Sequence, residues 1–133
     1  MCRIVIDTNV IVSAFKSPGG NPDKIICNAT ASGSKLKICY DTEIFEEYSD
    51  VLNRPKFDFD DVRLKRFFNT VNENGVFCQP QKSQFYMVDE TDRCFYDVAK
   101  HCGAWLITGN TKHYPKEPFI IAPTDFLRLD LGY

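Results

Sequence analysis

Five short apolar runs, each closed by polar or turn residues, constrain the fold of this chain more than any other feature. They lie at Cys2 to Ile6, Lys35 to Tyr40, Val76 to Cys78, Ala104 to Thr108 and Phe119 to Ala122, and each reads as a strand. Longer segments with helical periodicity separate them, so strand and helix alternate. Strands joined in that way run parallel and need helical cover on both faces, which is why their sequences are nearly continuous in apolar character. The expectation is a three-layer α/β/α fold with a central parallel sheet of about five strands, built as one domain over residues 1–133.

The helical segments carry their own signals. Val10, Ile11 and Ala14 follow the first strand at helical spacing. Ser17-Pro18-Gly19-Gly20-Asn21-Pro22 is a turn cluster, with Pro22 at the first position of a helix running through Ile25 and Ile26 toward Gly33. From Thr42 to Arg54, the residues Ile44, Phe45, Tyr48, Val51 and Leu52 form one apolar stripe, capped by Thr42 or Asp41 and stopped by Pro55. A further helix is expected from Asp60 to Asn72, with Leu64, Phe67, Phe68 and Val71 inward, Arg63, Lys65 and Arg66 outward, and Asn74-Gly75 ending it. Gln79 to Val88 has no clear period and reads as a loop. It leads to a last helical unit bearing Phe95, Val98, Ala99 and Cys102.

Composition narrows the function classes. With 44% of residues apolar and 14% aromatic there is material for a packed core, and a formal net charge of −2 leaves no broad basic surface for sequence-independent nucleic-acid binding. Any nucleic-acid contact must be local. No stretch approaches the roughly 18 to 20 apolar residues of a membrane span, and a cytoplasmic protein with no membrane partner is expected. The six cysteines are scattered through apolar segments without CxxC or paired Cys/His spacing, and read as small core residues.

In an open parallel sheet, chemistry gathers at the carboxyl ends of the strands. Asp7 closes the first strand and opens the step Asp7-Thr8-Asn9 into a helix, where its other reading is a helix cap. On the helix Thr42 to Arg54, Glu46 lies opposite the apolar stripe, whereas Glu47 falls about 90° from its centre, on the shoulder that looks along the sheet edge. Asp92 lies about 70° from the stripe of the last helical unit and Asp97 about 150° away, toward water. Helix capping is the alternative for Asp92, with Asp89 and Glu90 suiting the helix dipole. Thr108-Gly109-Asn110 is a small polar turn at another strand end, where Asn110 offers a carbonyl and an amide without charge.

Asp7, Asp92 and Asn110 thus fall on one rim. Crowded carboxylates repel one another unless a cation neutralises them, and oxygen ligands without a Cys or His cluster favour Mg²⁺ or Mn²⁺. Such a site suits hydrolysis of a phosphodiester. Arg54, Lys56, Lys112, His113 and Lys116 sit near element ends and read either as ordinary solvated charges or as contacts for a nucleic-acid phosphate backbone, with His113 and Lys112 just beyond the rim turn. A phosphotransfer enzyme with Asp7 as nucleophile is a rival reading. Asn9 stands where such an enzyme wants a second Asp.

The chain resembles PIN domains, and among them the bacterial proteins regarded as toxins of toxin–antitoxin systems. Ile4-Val5-Ile6-Asp7-Thr8-Asn9-Val10, Glu43-Ile44-Phe45-Glu46-Glu47-Tyr48, and Asp92 to Ala99 continuing into Gly103 to Asn110 carry the resemblance. It implies that Asp7, Glu47, Asp92 and Asn110 form the catalytic set, with the first three holding Mg²⁺ or Mn²⁺ and with Asn9 and Thr108 in support. The implied activity is endonucleolytic hydrolysis of single-stranded RNA, with a cognate antitoxin and a second copy of the chain as partners. Many relatives carry Asp where this chain has Asn110. The alternative is therefore a catalytically weak scaffold of the same fold that binds RNA or a protein.

Overall fold

The computed structural model describes residues 2–129. Its five strands are β1 (Cys2–Ile6), β2 (Leu36–Tyr40), β3 (Val76–Phe77), β4 (Trp105–Ile107) and β5 (Ile120–Ile121). They form one sheet in the order β3-β2-β1-β4-β5, with every neighbouring pair parallel. The observed strands are shorter than several apolar runs: Lys35, Cys78, Ala104, Thr108, Phe119 and Ala122 fall outside the strand bounds. Ile4, Val5 and Ile6 of the central strand are fully buried, as a strand covered on both faces requires.

Strand order decides where a site can form. From β1 the chain moves outward through β2 to β3, then crosses back over the sheet and places β4 on the other side of β1. Parallel crossovers keep one hand, so connections that move in opposite directions across the sheet put their helices on opposite faces. The first direction carries α1 (Thr8–Lys16), α2 (Asn21–Thr30), α3 (Thr42–Leu52) and α4 (Asp61–Asn74), and the return carries α5 (Arg93–Cys102). Between β1 and β4 the direction reverses, which opens a crevice at their carboxyl ends. A short α6 (Pro123–Leu127) packs against α2.

Local chemistry sets the helix ends. Asp41 caps α3 by accepting from the Ile44 N–H at 2.8 Å, leaving Thr42 as the first helical residue. Pro22 takes the second position of α2, behind Asn21 and the Gly20 cap. Helix α4 runs two residues beyond Asn72, to Asn74, from an Asp60 cap. Gly75 ends it in an extended conformation, and glycine is required there by space: a Cβ would stand 2.3 Å from the Val71 carbonyl oxygen and 2.8 Å from that of Ile38. Gly103, by contrast, is left-handed at φ 63°, the conformation that turns α5 sharply into β4.

Two side chains depart from the helical-wheel expectation, and one cysteine from the core reading. Arg63 is only half exposed: its guanidinium pairs with the buried Asp23 at 2.7 Å and stacks 4.7 Å over the Phe15 ring. Asp97 does not point into water but accepts a 3.1 Å hydrogen bond from the Ser83 N–H. It helps to fasten the irregular segment 79–88 along α5. Cys27 is exposed on α2, outside the core.

Candidate functional site

Asp7 sits at the carboxyl end of β1, in the crevice where β1 and β4 part. Its N–H donates to the Ile107 carbonyl at 2.9 Å, which extends the β1–β4 ladder by one bond and sets the direction of the side chain. The carboxylate serves two purposes. Oδ1 accepts from the Asn9 N–H at 3.3 Å and caps α1, while Oδ2 accepts from Thr108 Oγ1 and from the Tyr114 hydroxyl, each at 2.9 Å. Thr108 is fully buried, and its Oγ1 also accepts from the Asn110 N–H at 3.0 Å. The rim turn is therefore tied to Asp7 through one hydroxyl.

Glu47 reaches the same rim from α3. The next residue explains why: Tyr48 is fully buried, packs against the Phe67 and Phe95 rings, and donates its hydroxyl to the Ile6 carbonyl. That contact pins α3 beside the end of β1, with Glu47 facing the crevice and Glu46 exposed on the far side. Glu47 Oε2 accepts from the Thr8 hydroxyl. Burial pushes the Glu47 carboxyl above its ordinary range; the Thr8 bond opposes this, and the charges of Asp7 and Asp89 add to it.

Asp92 stands where a short 3₁₀ turn, Glu90–Asp92, runs into α5. Its side chain makes no capping bond, so the helix-cap reading does not account for it. Capping of the turn falls to Asp89, which accepts from the Thr91 N–H at 3.0 Å and the Thr91 hydroxyl at 2.8 Å. Those bonds hold the Asp89 carboxyl below its usual range. The Asp92 carboxyl is pushed up from 3.8 to about 6, first by burial and then by the charges of Asp7, Asp89 and Glu47, with His113 opposing. These carboxylates are close enough for each charge to act on the others.

The structure therefore brings Asp7, Glu47, Asp92, Thr108 and Asn9 to one crevice. Asn110 lies at its edge with an exposed side chain, and His113 faces Asp89 and Asp92 from the following 3₁₀ turn, Thr111–His113. Arg54 is paired with Asp50 at 3.0 Å, and its charge also reaches Glu47. Lys56 lies 5.1 Å over the Phe57 ring. Lys112 and Lys116 line a groove of about 530 Å³ beside the crevice, walled by Tyr114, Pro115 and Pro118.

Sequence reasoning missed Tyr114, Thr8 and the charge of Asp89. Tyr114 sits among Lys112, His113 and Pro115 with no periodicity around it, and only the fold shows its hydroxyl buried against Asp7. Thr8 had one signal available, its place directly after the rim carboxylate. Asp89 was legible only as a residue suited to a helix start.

Whether the crevice fits a divalent cation can be tested on its donors. Among the described residues no three His, Cys, Asp or Glu side chains close on one point as an ion cage; Thr108 and Tyr114 hold one oxygen of Asp7, and Thr8 holds one of Glu47. Two features nevertheless fit a cation. The Asn9 Oδ1 is a buried oxygen with no hydrogen-bond partner, a standing cost unless a donor or a cation meets it. The Asp92 carboxylate is uncommitted and lies in an excess of negative charge. A divalent cation that keeps several of its waters needs only one or two carboxylates rather than a full protein cage, and this open set of oxygens fits that mode.

Carboxylates at the switch point of a parallel α/β sheet stand where such folds place their ligands. A family model for the PIN domain matches residues 3–112, and the chain belongs to that family, whose members are generally nucleases that use divalent metal ions. The matched span holds Asp7, Glu47, Asp92 and Asn110, whereas Tyr114 lies beyond it. No curated protein and no solved structure matches the chain. No described helix is long and apolar enough to cross a membrane.

Proposed function

We propose that this chain is an endoribonuclease that hydrolyses single-stranded RNA with Mg²⁺ or Mn²⁺ and acts in the cytoplasm as the toxin of a toxin–antitoxin pair. The observation that carries the catalytic part is Asp92: a carboxylate spent on no cap, crowded by Asp7, Asp89 and Glu47, and holding its proton up to about pH 6. The neighbouring negative charges that help hold this proton would also favour a bound cation. Asp7, Glu47 and Asp92 would hold the ion, with Asn9 Oδ1 as a further oxygen donor. When bound, the cation offsets phosphate charge and acidifies a neighbouring water.

The chain's own residues supply orientation. Thr108 and Tyr114 fix Oδ2 of Asp7, while the Asn9 N–H holds Oδ1. Thr8 fixes Glu47 in the same way. Lys112, Lys116 and His113 flank the crevice and place the RNA backbone through its phosphates. The toxin role, the cognate antitoxin and a homodimeric state rest on the sequence resemblance.

Cleavage of RNA in Mn²⁺ by the wild-type protein and not by Asp7→Asn is the expected result. Equal cleavage by both would remove the site from consideration. Growth arrest on expression of the wild type, relieved by the same substitution, tests the toxin role. A second reading has one observation in its favour: Asn110 brings no charge to the rim and its side chain is exposed. A scaffold that binds RNA without cutting it would retard RNA in Mn²⁺ yet leave it intact.

A further inference from the structure

Three of the six cysteines meet at a place the nuclease site does not use. Cys39 is fully buried in β2, Cys78 directly follows β3, and Cys102 ends α5. The Cys78 and Cys102 sulfurs are 2.8 Å apart, closer than two non-bonded sulfur atoms rest. Burial together with the neighbouring Cys102 thiol pushes both Cys39 and Cys78 up to about 12, so these two persist as thiols near neutral pH. Arg3 donates to the Cys102 carbonyl at 3.3 Å and places the nearest positive charge beside the cluster. Asp41 adds negative charge near Cys78.

We infer that Cys78 and Cys102 are a modification site, a pair that closes to an intramolecular disulfide when a low-molecular-weight disulfide is the oxidant. Forming a bond of about 2.05 Å from this contact needs less than about 1 Å of closure between the two sulfurs. One cysteine loses its proton to solvent, and its thiolate attacks a sulfur of the oxidant. The first small thiol leaves and takes up a proton. The second cysteine then loses its proton and attacks the protein-bound sulfur, which expels the second small thiol. Two protein thiols are oxidised by two electrons, and the oxidant's S–S bond is reduced to two thiols. Cys39 is the competing partner, since its thiol also faces Cys102, but it is sealed inside the sheet.

The bond would close a covalent loop from residue 78 to residue 102. That loop contains the irregular segment 79–88, the turn bearing Asp89 and Asp92, and the whole of α5. Arg93 already fastens this stretch from within: its guanidinium donates to the Ser83 carbonyl at 3.1 Å and the Phe85 carbonyl at 2.6 Å. The disulfide would tie the loop at its outer ends. The inference is independent of the nuclease reading.

The test incubates the full chain with oxidised glutathione at pH 8.5, quenches in acid, alkylates the free thiols and digests with trypsin. Lysines and arginines separate the three cysteines, so each falls on a different peptide. A peptide pair joining Cys78 to Cys102, with protein lighter by two hydrogens and monomeric, is the expected result. The Cys39→Ala variant retains that linkage. Recovery of Cys78 and Cys102 as alkylated thiols, or a linkage that contains Cys39, would overturn the inference.

Discussion

The Tyr114 hydroxyl donates to the same oxygen of Asp7 that Thr108 holds, so residues 107 positions apart share one buried hydrogen bond at the rim. Burial and the negative charge of Asp7 push the Tyr114 hydroxyl well above its ordinary range, which keeps it a donor at any working pH. The bond is a positioning contact. It fixes one oxygen of Asp7, while the other caps α1 through the Asn9 N–H.

Tyr114→Phe removes that donor and keeps the ring. A hydrogen bond to a charged group contributes roughly 1.5–3 kcal/mol, so RNA cleavage should fall about 10-fold or more, and the Mn²⁺ concentration giving half-maximal rate should rise. A Mn²⁺ titration of cleavage reads both effects, with circular dichroism checking that the fold is kept. An unchanged titration would show that Thr108 alone positions Asp7.

Asp92→Asn should separate function from stability. The folded state raises the Asp92 pKa to about 6 from an ordinary 3.8, so folding takes up a proton between those values and the charged carboxylate is a burden above them. Stability from this group is present below about pH 4 and lost as pH rises through 6. The variant should match wild type near pH 4 and, without metal, be more stable at pH 7.5. Allowing for solvent screening at a half-buried site, the gain is on the order of 1 kcal/mol. Cleavage should be abolished. Urea midpoints in chelator at the two pH values make the comparison; a variant no more stable at pH 7.5 would mean the carboxylate crowding is relieved some other way.

Glu47 and Glu46 are adjacent on α3 and face opposite surroundings. Glu47→Gln should lower cleavage by about 100-fold, at the upper end of what metal-site supporting residues cost. Glu46→Gln should leave the rate within a factor of about two, because substitutions on a solvated helix face rarely matter. Single-turnover rates for the pair test the rim assignment, and equal losses would refute it.

Asn110→Asp restores a charge at the exposed edge of the crevice, beside the Thr108 hydroxyl that its N–H already contacts. Tighter Mn²⁺ binding is expected, by about 10-fold, as one more carboxylate joins the set. Isothermal titration in Mn²⁺ measures it. If the affinity is unchanged, the Asn110 side chain stands outside the ion's reach.

Much of this protein is written in local pattern. Alternating strand and helix periods specify a parallel sheet covered by helices, and the sheet has that form. The wheel positions of Glu47 and Glu46 follow from the apolar stripe through Ile44, Tyr48 and Leu52, since burial of that stripe fixes the rotation of α3. Asp7 after the first strand is legible in the same way. The wheel misdirected Asp97 because it treats every polar face as solvent, whereas segment 79–88 folds back over that face and offers the Ser83 N–H.

What local pattern lacks is strand order and any contact between distant segments. Nothing near Ile6 or Trp105 states that β1 and β4 are neighbours, yet that pairing makes the crevice and brings Thr108 and Tyr114 to Asp7. The choice between cap and free carboxylate at Asp92 was likewise settled by backbone geometry, because Asp89 takes the capping bonds first. Periodicity is set by each residue's own helix or strand. Pairing is set by the packing of the whole sheet, and only the tertiary structure makes that choice.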